Sequence, residues 1–523
     1  MVNDLAENGA KEKRPHGYQR GSKLLLGTIL LGLLANECFV DQAFGISVPL
    51  FVLAFYGVFF WNLGSTALVQ KNFAGGLMIP ILLLTLTYVL FSNEVFQVLN
   101  VLAISTLIVM QTTLSAKRAR ADWYAPSFVI DVLIGFIYRP FAFLAVPFKI
   151  AAEQIGRRTA GGKNKTLTNV FIGIVLTFPL VVIILMLLSS ADERFNYYLG
   201  AFPHWLAGFN LDTLMPRLIF ISAVALFSFS YIWSLMMKPK QPARYTDSTE
   251  QTTFAGCMDA TVVTTILSII NAIYVFFTLI QFSYLFGSFS LGLPQQFTYA
   301  EYARRGFFEL VLVTLINFTL LLVLLHLTKQ SSGRVNRAIQ ILESLLVCCT
   351  MVMLVSAFIR MYLYEQMYGF TYLRVLTHAF MILLFVLFLV TLFRIWKKGI
   401  KLFKYYLLAG ITAFVVINYA NIDVLIARWN IDRYSQTGKI DVAYLATLSN
   451  DATPYLVQLL KAKDDAVRKV AENRLFEQKQ ILNQPQAWQS FNLSNLRAKQ
   501  LLDQEQLQRN QLDPSLSHEI YDD

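Results

Sequence analysis

The 523-residue chain is 56% hydrophobic and 15% charged, with mean hydropathy +0.51, whereas soluble domains carry roughly 25% charged residues. Its net charge of +11 would point to nucleic acid in a soluble protein, yet residues 421–523 hold 12 Lys+Arg and 14 Asp+Glu, leaving +13 on the apolar remainder. Basic loops between membrane spans, facing anionic lipid, account for that pattern, and a nucleic-acid partner is not expected.

In chain order, residues 1–23 form a polar tail with Lys11, Lys13, Arg14, Arg20 and Lys23, read as cytoplasmic. The apolar run from Leu24 lacks an A-x-A-like cleavage site, so it reads as an uncleaved first span rather than a signal peptide. Ten further runs follow at 47–63, 75–92, 95–113, 170–188, 216–237, 261–286, 306–327, 339–360, 373–393 and 402–420. Each is near the ~20 residues that cross ~30 Å of hydrocarbon as a helix. None alternates polar with apolar residues as barrel strands do, so helices are expected. The fold class is therefore all-α: a polytopic bundle of about eleven spans with a small soluble helical C-terminal domain.

The loops give an orientation. Lys117, Arg118, Arg120, Arg139, Lys149, Arg157, Arg158, Lys163 and Lys165 fall in 114–169, and Lys238, Lys240 and Arg244 follow span six. Lys329, Arg334 and Arg337 follow span eight, and Arg394, Lys397, Lys398 and Lys401 follow span ten. The alternate loops are poorer in basic residues, with Asp41 in the first and Glu94 in the second. The positive-inside rule then puts the N-terminus in the cytoplasm and the tail outside. The chain divides into a tail (1–23), four spans (24–113), a cytoplasmic basic segment (114–169), a seven-span core (170–420) and an extracytoplasmic tail (421–523).

Within 114–169, the apolar stretch 128–150 is broken by Asp131, Arg139, Pro140 and Pro147. It reads as short interfacial helices, with a re-entrant pair as the alternative. In the tail, 440–479 has helical spacing, with Ser449, Asn450 and Asp451 as N-cap types and Pro454 suited to a first turn. The Gln- and Asn-rich segment 480–523 is expected to be partly disordered.

Three polar groups stand out. In EYARRGFFEL, Glu301, Arg305 and Glu309 recur every fourth residue and share a helix face, with Tyr302 as an interfacial anchor and Arg304 about 100° away. Arg360, Tyr362, Tyr364, Glu365 and Arg374 sit at the outer ends of spans nine and ten, where an Arg–Glu pair could staple two helices. Together these would form an outer-face site for an anionic lipid or an envelope protein, unless each merely anchors a helix end. The third group, Asn421, Asp423, Arg428, Asp432 and Arg433, reads as a juxtamembrane hinge, with Asn421 able to cap a helix. Asn271, Gln281, Asn317, His326 and His378 lie inside spans, where such side chains hydrogen-bond between helices.

Cys38, Cys257, Cys348 and Cys349 have no metal-ligand spacing, so no metal, cofactor or structural disulfide is expected. GRRTAGGK at 156–163 misses the P-loop spacing by one residue, and Asn164 stands where Ser or Thr should follow. No catalytic residue can be assigned.

EYARRGFFEL, together with NIDVLIARWNIDRYSQTGKIDVAYLATLS, resembles a bacterial multi-pass membrane family known only as a domain of unknown function. The resemblance spans about 170–470 and implies a bacterial cytoplasmic membrane. Three function classes fit: a non-enzymatic sensor or scaffold, which is favoured; a transporter or channel; and a lipid-linked transferase acting outside. Cysteines placed at Arg304 and Arg305 should react with an impermeant maleimide from the external side, and labelling from the cytoplasmic side alone would refute this topology.

Overall fold

The computed structural model describes residues 14–63, 73–151, 211–237, 258–286, 307–328, 333–397 and 399–510, with isolated positions between 173 and 194. These residues are all-helical, apart from an isolated parallel bridge between Met258 and Thr328. The reason is solvation. Hydrocarbon offers nothing to backbone N–H and C=O groups, and a helix satisfies them within itself.

The membrane part comprises α1 (Arg14–Phe39), α2 (Ser47–Leu63), α3 (Phe73–Leu90) and α4 (Glu94–Ser115), then a pair, α5 (Phe128–Ile137) and α6 (Arg139–Ala151). It continues with α7 (Leu211–Met236), α8 (Ala260–Phe286), α9 (Phe307–Leu327), α10 (Arg334–Tyr368), α11 (Tyr372–Trp396) and α12 (Leu402–Tyr419). Among the described residues nine helices are long and apolar enough to cross a membrane, or ten if α5 and α6 form one span. The run at 47–63 makes a helix of only 17 residues, and the run at 170–188 lies largely outside the described residues. The span read at 339–360 belongs to the 35-residue α10. At ~1.5 Å per residue such a helix outruns ~30 Å of hydrocarbon by several turns, so its ends project.

The bundle has two apolar cores. One, around Phe59, Ile81, Tyr88, Phe229 and Ile232, joins α1 to α4 with α7. The other, around Leu267, Leu321, Val347, Leu384 and Phe388, joins α8 to α11. Lipid provides no hydrophobic drive between helices, so small residues that allow close approach matter more. Gly32 of α1 is one: a Cβ there would lie 2.5 Å from the backbone oxygen of Ile221 in α7. Polar side chains act as the sequence implies. Asn271 donates to Leu342 O at 2.9 Å, and Asn317 donates to Thr350 Oγ1 at 3.0 Å.

The pair α5 and α6 is bent by 45° at Tyr138, next to Pro140. Ile130, Leu133 and Ile137 point outward, while Asp131 and Arg139 are buried. Asp131 accepts from the N–H groups of Arg120 and Ala121 at 2.8 and 3.0 Å, and Arg139 donates to Thr113 Oγ1 at 3.0 Å. Basic groups gather at this end of the bundle. Arg118 caps α7 through Leu235 O and Met236 O, and the Lys401 ammonium stands 3.3 Å above the Tyr124 ring.

The tail packs on the opposite end. It contains α13 (Ile422–Thr437), α14 (Val442–Leu445), α15 (Thr453–Leu456), α16 (Asp465–Asn483) and α17 (Leu493–Gln504). Its core, with Ile426, Leu445, Leu456, Leu475 and Leu502, includes Phe96 from the start of α4. Two readings are refined. Of the segment 480–523, expected to be partly disordered, residues 480–510 are folded, because Leu482, Ala498 and Leu502 bury an apolar stripe and Asn492 caps α17 through Ser494 N–H and Asn495 N–H, while 511–523 lie outside the described residues. Pro454 does open a helical turn, but Ser449 makes no side-chain cap there.

We expect Gly32→Ala to destabilise the bundle by about 1–3 kcal/mol, the usual cost of overpacking. Gly57→Ala, which meets nothing within 4 Å, should leave thermal unfolding in detergent unchanged.

Candidate functional site

The chain leaves α12 at Tyr419 and turns sharply at Asn421, whose φ of +47° is left-handed. Asparagine tolerates that region better than most residues. Its side chain accepts from Val424 N–H at 3.5 Å, so the kink also caps α13, as the sequence suggests. The turn lays α13 across the end of the bundle and carries Asp423 beneath the tail.

Asp423 is fully buried. Tyr372 of α11 donates through its hydroxyl to Oδ1, Asn93 donates to Oδ2 at 2.7 Å, and the Ser449 hydroxyl is also directed at Oδ2. A second acid, Asp451, lies next to it. Asp451 Oδ2 accepts from Ser92 N–H at 2.9 Å and lies 3.1 Å from the same Ser449 hydroxyl. One hydroxyl has one proton, so Ser449 serves one carboxylate at a time. Burial pushes the Asp423 carboxyl above its ordinary value against the pull of its three donors, and nearby Asp451 pushes the same way. Tyr372 N–H donates to Tyr444 Oη at 2.8 Å. The junction thus draws on the α3–α4 turn, α11, α13 and the tail.

A second clamp grips the α10–α11 turn. Arg433 donates to Gln366 O at 2.9 Å and Met367 O at 2.6 Å, neutralising carbonyls at the end of α10. Asn430 brackets Phe370, accepting from its N–H at 3.0 Å and donating to its C=O at 2.8 Å. Gly369, at φ +86°, leaves room for Asn430, since a Cβ there would fall 2.6 Å from Asn430 Oδ1.

The sequence-derived residues scatter around this junction. Glu301, Tyr302, Arg304 and Arg305 lie outside the described residues, and Glu309 is exposed in the first turn of α9. Glu365 of α10 pairs with His378 Nδ1 of α11 at 3.2 Å, joining the two helices through a histidine. Arg374 instead donates to Gly369 O and lies over the Tyr364 ring at 4.5 Å. Arg360 is half-buried on α10. Arg428 and Asp432 form an exposed pair at 3.9 Å, which at such exposure contributes little. Asn93, Tyr372, Tyr444 and Asn430 were not anticipated. Ser449 and Asp451, read as cap types, turn toward Asp423.

Below the junction the polar contacts continue between spans. Asn100 donates to Thr87 Oγ1 at 3.0 Å and Asn418 Oδ1 at 2.7 Å, while its own Oδ1 finds no partner among the described residues. A void of about 10 Å³ lies beside it, lined by Asn93, Gln97 and Asn421 among others, which is the size of one water. Among the described residues no three His, Cys, Asp or Glu side chains converge as metal ligands. The arrangement can fasten the tail to the bundle through a buried acid.

Arg433→Ala leaves buried carbonyls without a donor and should cost about 3 kcal/mol, whereas Arg428→Ala should cost under about 0.5 kcal/mol. For Asp423 the folded value is raised, so the protonated form favours the fold. Its contribution is complete below the ordinary 3.8 and is lost as pH rises through the raised folded value. Wild type should therefore be more stable than Asp423→Asn, relative to neutral pH, on acidification toward 3.8. Thermal unfolding of both proteins across that range measures the difference, and parallel curves would refute it.

Searches of curated proteins and of solved structures each found no match. One family model does match, over residues 78–459, and it begins well before the resemblance seen in the sequence. That stretch holds α4, α10, α11 and α13 and most of the junction. It covers well over half of the chain, which therefore belongs to the family described as Domain of unknown function (DUF4153).

Proposed function

We propose that this protein is a non-enzymatic sensor or scaffold of a bacterial cytoplasmic membrane, with its N-terminus in the cytoplasm and its tail outside. The observation that carries the reading is the junction at Asp423. A tail that merely followed the last span would need no buried acid, yet this one is tied to the α3–α4 turn and to α11. A change sensed by the tail can pass to α4 and α11 through shared hydrogen bonds, and the reverse also holds. The orientation is supported by the basic end, where Arg118, Arg139, Lys401 and Lys404 gather away from the tail. Its partners on this reading are the bilayer and an envelope protein or anionic lipid.

One observation favours a transporter or channel instead: the bent pair α5 and α6, with buried Asp131 and Arg139, is a discontinuous helix of the kind transporters use. Those side chains are, however, already bound to neighbouring backbone and Thr113, which suits a fixed scaffold better.

A chain ending at residue 420 separates the two. On the scaffold reading it inserts but loses the cellular function, and full-length Asp423→Ala shows the same loss. Solute flux in proteoliposomes that survives the truncation would overturn the scaffold reading.

A further inference from the structure

Between the tail and the connections at the ends of α1 to α4 lies an open cleft of about 330 Å³. Its walls are mainly uncharged hydrogen-bonding groups. Gln42 and Gln97 come from the bundle, Gln486 and Asn495 from the tail, with Glu94 and Phe44 beside them. Asn450 and Asn492 also line it but are committed elsewhere. Asn450 is bonded to Asn495 and Gln478, and Asn492 donates to Tyr88 O and Phe91 O. They hold the wall rigid. The side chains of Gln42, Gln97, Gln486 and Glu94, by contrast, bond to nothing among the described residues. A second hollow of about 240 Å³ adjoins through Gln486 and Asn495 and adds Phe491 and Lys499, whose ammonium can donate to a hydroxyl.

The lining selects a chemistry. No Lys or Arg lines the larger cleft, and Glu94 and Asp41 would repel an anion. A small cation needs convergent carboxylates, but Asp41 is paired with Arg217 at 2.7 Å. Apolar wall is too scarce for an apolar ligand. Carboxamides both donate and accept, and so do the hydroxyl and acetamido groups of sugars. A carboxylate such as Glu94 accepts from a hydroxyl in a charge-assisted bond. Phe44 and Phe491, both part-exposed, offer flat faces to the C–H side of a pyranose ring. Two adjoining hollows suit more than one ring.

We propose that this cleft binds a neutral saccharide of at least two units, either as a free glycan or as a glycolipid head group. The proposal rests on the reading above that the tail lies outside, and goes beyond it by naming a ligand class for a separate cleft. Purified full-length protein exposes both faces, so the binding test does not depend on orientation. Its failure would leave the truncation test of the scaffold reading unaffected.

Saturation-transfer NMR with an N-acetylglucosamine tetramer, in detergent, tests the free glycan. Nanodiscs containing a lipid headed by the same sugar test the bound form, and binding in either arm supports the proposal and names the source. Gln42→Ala combined with Gln486→Ala should weaken binding about tenfold or more, since two hydrogen bonds are lost, with unchanged thermal unfolding. No binding in either arm, or equal binding by the double variant, overturns the proposal. So does a cleft that takes up spermidine instead and loses it on Glu94→Gln.

Discussion

A carboxylate buried under a protein surface is costly unless donors surround it, and Asp423 is buried with three. Much of the structure follows from that requirement. The left-handed turn at Asn421 brings Asp423 under the tail, and Asn93 and Tyr372 must reach it from the α3–α4 turn and from α11. The tail supplies Ser449, and the neighbouring Asp451 is held in turn by Ser92. Removing any one donor exposes the others to a charge without compensation, so the junction behaves as a unit.

Arg433 does a complementary task nearly three turns further along α13. The carbonyl end of α10 carries partial negative charge and unsatisfied acceptors, and the guanidinium covers them. Asn430 fixes Phe370, two residues past the end of α10. Through these two side chains α13 fastens the α10–α11 turn, while through Asp423 it fastens α4 and α11. The short helix after the last span is thus a brace between bundle and tail.

The sequence showed some of this and could not show the rest. Continuous apolar runs made ten helices legible, because hydrocarbon leaves the backbone no other choice. Asn421 was legible as a cap because capping is local. Asp423 was visible only as one charge in an alternating row, since its donors lie 330, 51 and 26 residues away. Arg433 looked like Arg428 on paper, yet one caps a helix and the other faces solvent. Glu365 was matched with an arginine because both sit at helix ends, whereas the fold brings His378 to it. Segment 480–510 misled by composition: its Gln and Asn residues include caps and tethers, as Asn492 and Gln489 show.

Fastening a soluble domain to a membrane bundle through a buried acid couples the two thermodynamically, which is the property a sensor or scaffold needs. The cleft between them opens where that coupling would be felt. Hydrogen exchange of the full-length protein in nanodiscs tests the brace most directly. If the account is right, amides of residues 422–437 and 442–504 are strongly protected in wild type and lose protection together in Asp423→Ala, while the spans stay protected. Tail amides that exchange identically in the two proteins would contradict it.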